Sequence, residues 1–263
     1  MAWRWSNQSQ ADAQARADQA AQQLKERCSR REHLPQHGEY YPNRPFREQL
    51  LQEFKDAAGA VTAAITRNSY GCQVLNTARV MFVDIDLPEP PQPGFFARMF
   101  GKPVPKNTES AELQAARIRI ESWSRQHPDW GWRLYRTRAG LRLLATHDVV
   151  APDSEISDTI FADLGADPLY RKLCQSQKCF RARLTPKPWR CGWHGRPARW
   201  PWLDAKQEKQ FQKWEAQYQS HASQWATCQL LQKLGNPDPH PEIAAIITLH
   251  DNATRAESGL PLA

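Results

Sequence analysis

No stretch of the chain approaches the ~18 consecutive apolar residues of a membrane-spanning helix, so a membrane protein is not expected. The opening residues Met1-Ala-Trp-Arg-Trp-Ser6 lack the apolar run of a secretory leader. Six cysteines scattered through 263 residues make a poor disulfide framework, which suits reduced thiols and a cytoplasmic location. Glycine is sparse, 12 against 20 prolines, so connections between elements should be stiff. Neither a Walker loop nor a G-x-G-x-x-G turn occurs, which removes the two commonest glycine-built phosphate cradles. No Ser or Cys nucleophile elbow is present either.

Acidic residues are missing from one segment. Pro168–Leu203 holds nine Lys or Arg and no Asp or Glu, so with a total of +7 the rest of the chain sums to −2. A second basic cluster is all arginine, from Arg117 to Arg142. Localised positive charge implies a polyanionic partner, with nucleic acid or nucleotides the leading candidates. Phe180, Trp189, Trp193, Trp200 and Trp202 interleave with the cations of the first segment, a composition suited to stacking on bases. Arg190, Arg196 and Arg199 are its candidate nucleic-acid contacts. Protein partners are not indicated.

The chain has ample material for a core, with 40% hydrophobic residues and 11 Trp. Residues 8–30 favour helix by their Ala and Gln content. His33–Pro45 reads as linker, and Phe46–Ala60 as helix from Phe46, Leu50, Phe54 and Ala57 at near-helical spacing. Val61–Ile65 and Val80–Asp86 lean to strand, and Leu87–Val104 is too proline-rich for regular structure. A helix from Thr108 to Gln126 should bury Leu113, Ala116, Ile120 and Trp123. Trp132–Thr137 and Leu141–His147 form a hairpin by spacing, and residues 153–164 and 167–177 are short helices. Phe180–Thr185 should be a strand, Asp204 should cap a long helix, and Pro241 should open the last one. The expected class is α/β (α+β), a mixed sheet with helices packed on it. The expected division is a helical extension over 1–60, an α/β core over 61–203 and a helical C-terminal region over 204–263.

Met81-Phe-Val-Asp84-Ile-Asp86 is the segment richest in chemistry. Side chains alternate along a strand, so Asp84 and Asp86 share a face with Cα atoms roughly 7 Å apart. Two such carboxylates can hold one or two Mg²⁺ or Mn²⁺ ions; they can equally cap a loop in water. Cys174, Cys179, Cys191 and His194 have a spacing open to zinc, but neither half is a tight Cys-x-x-Cys knuckle, and zinc is not expected. His250-Asp251 is discounted as a pair, because neighbours on a helix point about 100° apart, and His147-Asp148 is discounted similarly.

The order of these motifs resembles the archaeo-eukaryotic primase superfamily, the primase–polymerases, over about residues 78–190. That family's core has a strand with two acidic residues, then a helix, then a Thr-x-x-Gly-x-His hairpin. A third acidic residue follows, then an arginine-rich strand leading to a Pro-Gly-Thr-like turn. Asp84 and Asp86 match the first motif, Thr137 and Gly140 the hairpin, and Arg181, Arg183, Pro186 and Lys187 approximate the last. Asp167 is the candidate third carboxylate. Arg142 stands where the family carries its histidine, and His147 follows five residues later. The resemblance implies a nucleotidyltransferase with Asp84, Asp86 and Asp167 catalytic, Mg²⁺ or Mn²⁺ on Asp84 and Asp86, and Thr137, Arg142, His147, Arg181, Arg183 and Lys187 around the nucleotide. A non-catalytic nucleic-acid-binding or adaptor protein on the same scaffold, or a metal-dependent phosphodiesterase or nuclease, are the alternatives.

Overall fold

The computed structural model describes residues 10–29, 48–88 and 110–263. They fall in two compact units, Met1–Phe46 and Arg47–Ala263. In the first, α1 (Gln10–Ser29) is a single helix in which Gln14 Nε2 donates to Asp18 one turn on, at 3.0 Å.

The second unit holds the other described elements, and its eight strands form two antiparallel sheets. One has the order β1 (Gln49–Lys55), β2 (Val61–Arg67), β3 (Gln73–Thr77) and β7 (Phe180–Arg183). The other has the order β4 (Phe82–Asp86), β6 (Gly140–Ala145), β5 (Gly131–Thr137) and β8 (Cys228–Gly235). The helices are α2 (Ala111–Gln126), α3 (Glu155–Leu164), α4 (Pro168–Gln177), α5 (Ala205–Ala222) and α6 (Pro241–Thr254). The α+β class read from the sequence holds, with two sheets in place of one mixed sheet. No helix among the described residues is long and apolar enough to cross a membrane.

Side-chain capping starts the helices as the residue types dictate. Ser110, Ser154, Asp167 and Asp204 each accept a backbone N–H from the first turn of α2, α3, α4 and α5. Thr108, the cap expected for α2, lies outside the described residues, as do the proline-rich loop beyond Pro88 and the 33–45 linker. The expected α2 face of Leu113, Ala116, Ile120 and Trp123 is buried. It joins the main core with Met81, Phe82, Val83, Leu134, Leu143 and Phe180. A smaller core gathers Cys191 against Phe211, Trp214 and Tyr218 of α5.

Three expectations fail here. The described part of Phe46–Ala60 holds strand β1 in place of a helix, paired with β2. A spacing of four fits a regular strand as well as a helix, so it cannot separate the two; in β1 a bulge between Leu50 and Gln52 sets Leu50, 52% exposed, and Phe54, packed on the core, on opposite faces. The turn decides it: Asp56 accepts the N–H of Ala58 and Ala60 at 3.0 and 2.9 Å, and Gly59 takes φ +83°. Residues 204–263 are not purely helical, because β8 adds a strand beside β5. The expected borders at 60 and 203 therefore cut through the β1–β2 hairpin and separate β8 from its sheet.

The two sheets meet where β4 and β7 run past one another. Tyr170 of α4 stitches them, donating its hydroxyl to the Phe82 carbonyl at 3.0 Å and accepting the Arg181 N–H at 3.3 Å. Thr227 Oγ1 donates to the Leu184 carbonyl at 2.9 Å. The candidate site opens along this seam.

Candidate functional site

The β5–β6 hairpin delivers Arg142 to the acidic strand. Thr137 Oγ1 accepts the Gly140 N–H at 3.0 Å, which closes the turn. Gly140 pairs with Asp86, and a Cβ on it would lie 1.9 Å from the Ile85 carbonyl oxygen, so β4 and β6 can approach this closely only at a glycine. That register sets Asp84 directly opposite Arg142. The result is a two-pronged ion pair, with Arg142 Nε donating to Asp84 Oδ1 at 2.7 Å and Nη2 to Oδ2 at 3.2 Å. Arg142 Nη1 reaches across the seam to the Arg183 carbonyl at 3.1 Å. Arg142 is only 3% exposed. Burial pulls its pKa down, but the Asp84 charge and hydrogen bonds more than reverse this, so the guanidinium stays charged.

A cleft of about 60 Å³ lies over this pair, lined by Asp84, Asp86, Thr137, Arg142, Arg183, Lys187 and Arg190 among others. Arg183 ends β7; Lys187 precedes and Arg190 ends a short 3-10 turn, Pro188–Arg190. Neither Arg183 nor Lys187 forms an ion pair with another described residue. Burial first, and then the positive charges of Arg183 and Arg190, push the Lys187 pKa down to about 8. Across the cleft, burial and then the charges of Asp84 and Asp167 hold the Asp86 carboxyl above its ordinary value. Asp86 is exposed by surface area; the desolvation it feels comes from the cleft walls around it.

Of the residues expected at the site, Asp84, Asp86, Thr137, Arg142, Arg183, Lys187 and Arg190 share this cleft. Asp167 stands beside it, its backbone N–H donating to the Asp84 carbonyl at 2.9 Å, but its carboxylate is engaged in capping α4 through Tyr170 N at 2.7 Å. Four others are elsewhere. Arg181 donates to Glu48 at 2.6 and 2.8 Å. His147 lies beyond the far end of β6, its ring 4.0 Å from that of Trp130, with burial lowering its pKa. Arg196 donates to the Ser69 carbonyl at 2.5 Å, and Arg199 lies exposed outside the cleft lining. Thr227 and Ala263 also line the cleft; no motif marked them, because they arrive from the segments flanking β8 and α6.

Among the described residues no group of three or more His, Cys, Asp or Glu is placed to hold a metal ion. Both Asp84 oxygens already accept from Arg142, and Asp167 is engaged by its helix. That leaves Asp86, whereas Mg²⁺ and its relatives need about six oxygens, several from carboxylates or phosphates. In this arrangement the residues do not fit a divalent ion held by the protein alone. For zinc, Cys174 belongs to the main core and Cys191 to the smaller one, and among the described residues no group of three such ligands gathers around either.

The His250–Asp251 pair, discounted above, does form: His250 Nδ1 and Asp251 Oδ1 lie 3.0 Å apart. The 100° between neighbours fixes only their Cβ directions, and buried partners draw both side chains inward. Tyr135 donates to Asp251 Oδ1 at 2.7 Å and to this carboxylate Arg133 also donates. Cys228 Sγ sits 4.0 Å from His250 Nε2, which brings a thiol, an imidazole and a carboxylate together. Both Cys228 and His250 are fully buried, and burial pushes the thiol up to about 11. A nucleophile must reach its substrate as thiolate, so this cluster belongs to the core.

No family model, curated protein or solved structure matches the chain.

Proposed function

We propose that the protein binds the phosphate groups of nucleic acid or nucleotides in the cleft between the two sheets, directly through its cations. The observation that carries this reading is the convergence of Arg183, Lys187 and Arg190 on one cleft in which Asp84 is already neutralised by Arg142. Burial first, and then the charges of Arg183 and Arg190, disfavour the charged form of Lys187, and an arriving phosphate would offset the repulsion among these cations. This is the binding-only alternative on the primase–polymerase-like scaffold, with the acidic strand turned to structural use.

One observation favours a second reading, metal-dependent nucleotidyl transfer. Asp84, Asp86 and Asp167 are close enough for the first and last to raise the Asp86 pKa, as neighbouring carboxylates do at cation sites. That reading needs Asp84 to exchange Arg142 for a cation. A nuclease or phosphodiesterase would need the same exchange, and cleavage in place of extension would identify it.

The test is the salt dependence of oligonucleotide binding in wild type and an Arg183→Ala/Lys187→Ala variant. Each phosphate left without its cation should flatten the slope of log K against log salt by roughly 0.7–0.9. Affinity should fall on every sequence tried. Unchanged affinity and slope would remove the cleft from the binding surface.

A further inference from the structure

Trp189 is 54% exposed, although the turn that carries it is anchored by buried Pro188 and Cys191. A tryptophan usually hides most of its surface. A loose loop does not explain this one. Arg190 N–H donates to the Lys187 carbonyl at 2.8 Å, Trp193 N–H to the Pro188 carbonyl at 2.8 Å, and Cys191 Sγ to the same carbonyl at 3.2 Å. Tyr70 meets the indole edge-to-face, with centroids 5.2 Å apart and planes at 84°. Tyr70 is itself set by Asn68, whose Oδ1 accepts the N–H of Tyr70 and Cys72 at 2.9 and 3.1 Å. The indole is therefore held in place while more than half of its residue surface stays open.

Lys187 joins this ring to the cleft. Its Nζ lies 5.6 Å from the Trp189 centroid and 5.7 Å from that of Tyr70, and Lys187 also lines the cleft with Asp86 and Arg183. A π surface and a phosphate-binding cleft thus share one side chain as neighbour. We propose that Trp189 is the stacking platform for an unpaired base whose phosphate lies against Lys187 and Arg183, so that the favoured ligand is single-stranded nucleic acid. The inference rests on the phosphate reading of the cleft. A duplex has both faces of each internal base occupied by its own stack and offers the indole nothing, whereas every unpaired base has an open face, whatever its identity.

The experiment compares a labelled oligo-dT, an abasic oligomer of equal length and a duplex, by fluorescence anisotropy. Wild type should bind oligo-dT more tightly than either of the others. Trp189→Ala should lose roughly 5- to 100-fold on oligo-dT and nothing on the abasic oligomer, and Trp189→Phe should restore most of the loss. Equal wild-type affinity for all three with no effect of Trp189→Ala overturns the platform and leaves the phosphate reading standing. An equal loss on dT and abasic oligomers makes Trp189 a structural residue and overturns it too. A thymidine mononucleotide that competes as well as the oligomer overturns the single-strand assignment. Absence of binding to any of them overturns both readings.

Discussion

Lys187 is where the chemistry of the site can be titrated. Its pKa, pushed down to about 8 by burial and by Arg183 and Arg190, makes its charge sensitive to mildly alkaline pH. A bound phosphate favours the ammonium form, so binding above about pH 8 must take up a proton. Below that the lysine is already charged. Log K for an oligonucleotide should be level with respect to this group below about pH 7 and fall by up to about one unit per pH unit above about 8. Lys187→Arg should keep its charge and abolish the fall. The sign for the fold follows from the same shift. Between about pH 8 and the ordinary lysine value the unfolded chain holds more protons, so this group makes the protein more stable as pH rises through that window. An affinity profile in wild type that stays level well above the Lys187 pKa would take this lysine off the phosphate.

At the scale of elements, the Asp84–Arg142 pair fastens β4 to β6 and changes what a carboxylate substitution on this strand means. A buried pair that loses one partner leaves an uncompensated charge, at a cost of about 3–5 kcal/mol. Asp84 keeps a quarter of its side chain exposed, which places the cost near the lower end. Asp84→Ala should therefore lower stability by about 3 kcal/mol in denaturant unfolding, while Asp84→Leu combined with Arg142→Met should recover most of it. A single variant as stable as wild type would show that the pair carries little. Loss of activity in an Asp84 variant would thus reflect the fold as readily as the chemistry, and Asp86, exposed and outside the pair, is the better probe. The strand carrying both aspartates and the hairpin facing it were legible in the sequence, because an apolar run closing on Asp84-Ile-Asp86 and the turn Thr137-Arg-Ala-Gly140 are local signals. Arg142 as the partner of Asp84 was not: their pairing is a register between residues 58 apart, fixed by a glycine too close to the Ile85 carbonyl to be anything else.

At the scale of the whole molecule, two sheets meeting at a seam divide the cations of the basic segment between structural partners and the cleft. The segment's nine cations were one feature in the sequence. In the fold Arg181 satisfies Glu48 and Arg196 holds the Ser69 loop, while Arg183, Lys187 and Arg190 turn to the cleft. Charge density along the chain cannot tell these apart. Arg181 and Arg183 share one face of β7, and what separates them is that Glu48 stands against Arg181 while Arg183 lies at the end of the strand that lines the cleft. β8 was hidden for a related reason: Cys228, Leu230 and Leu234 alternate inward, but Leu231, 40% exposed, masks the alternation. The central claim is that the cleft holds phosphate through its own cations. Asp86→Asn measures this most directly, with oligonucleotide affinity determined in EDTA and in Mg²⁺ or Mn²⁺. Removing a carboxylate that faces the phosphate should leave affinity unchanged or raise it severalfold, with wild type binding equally well in EDTA. Wild-type binding that collapses in EDTA, and weakens on Asp86→Asn only when metal is present, would contradict the account and return the acidic strand to a cation.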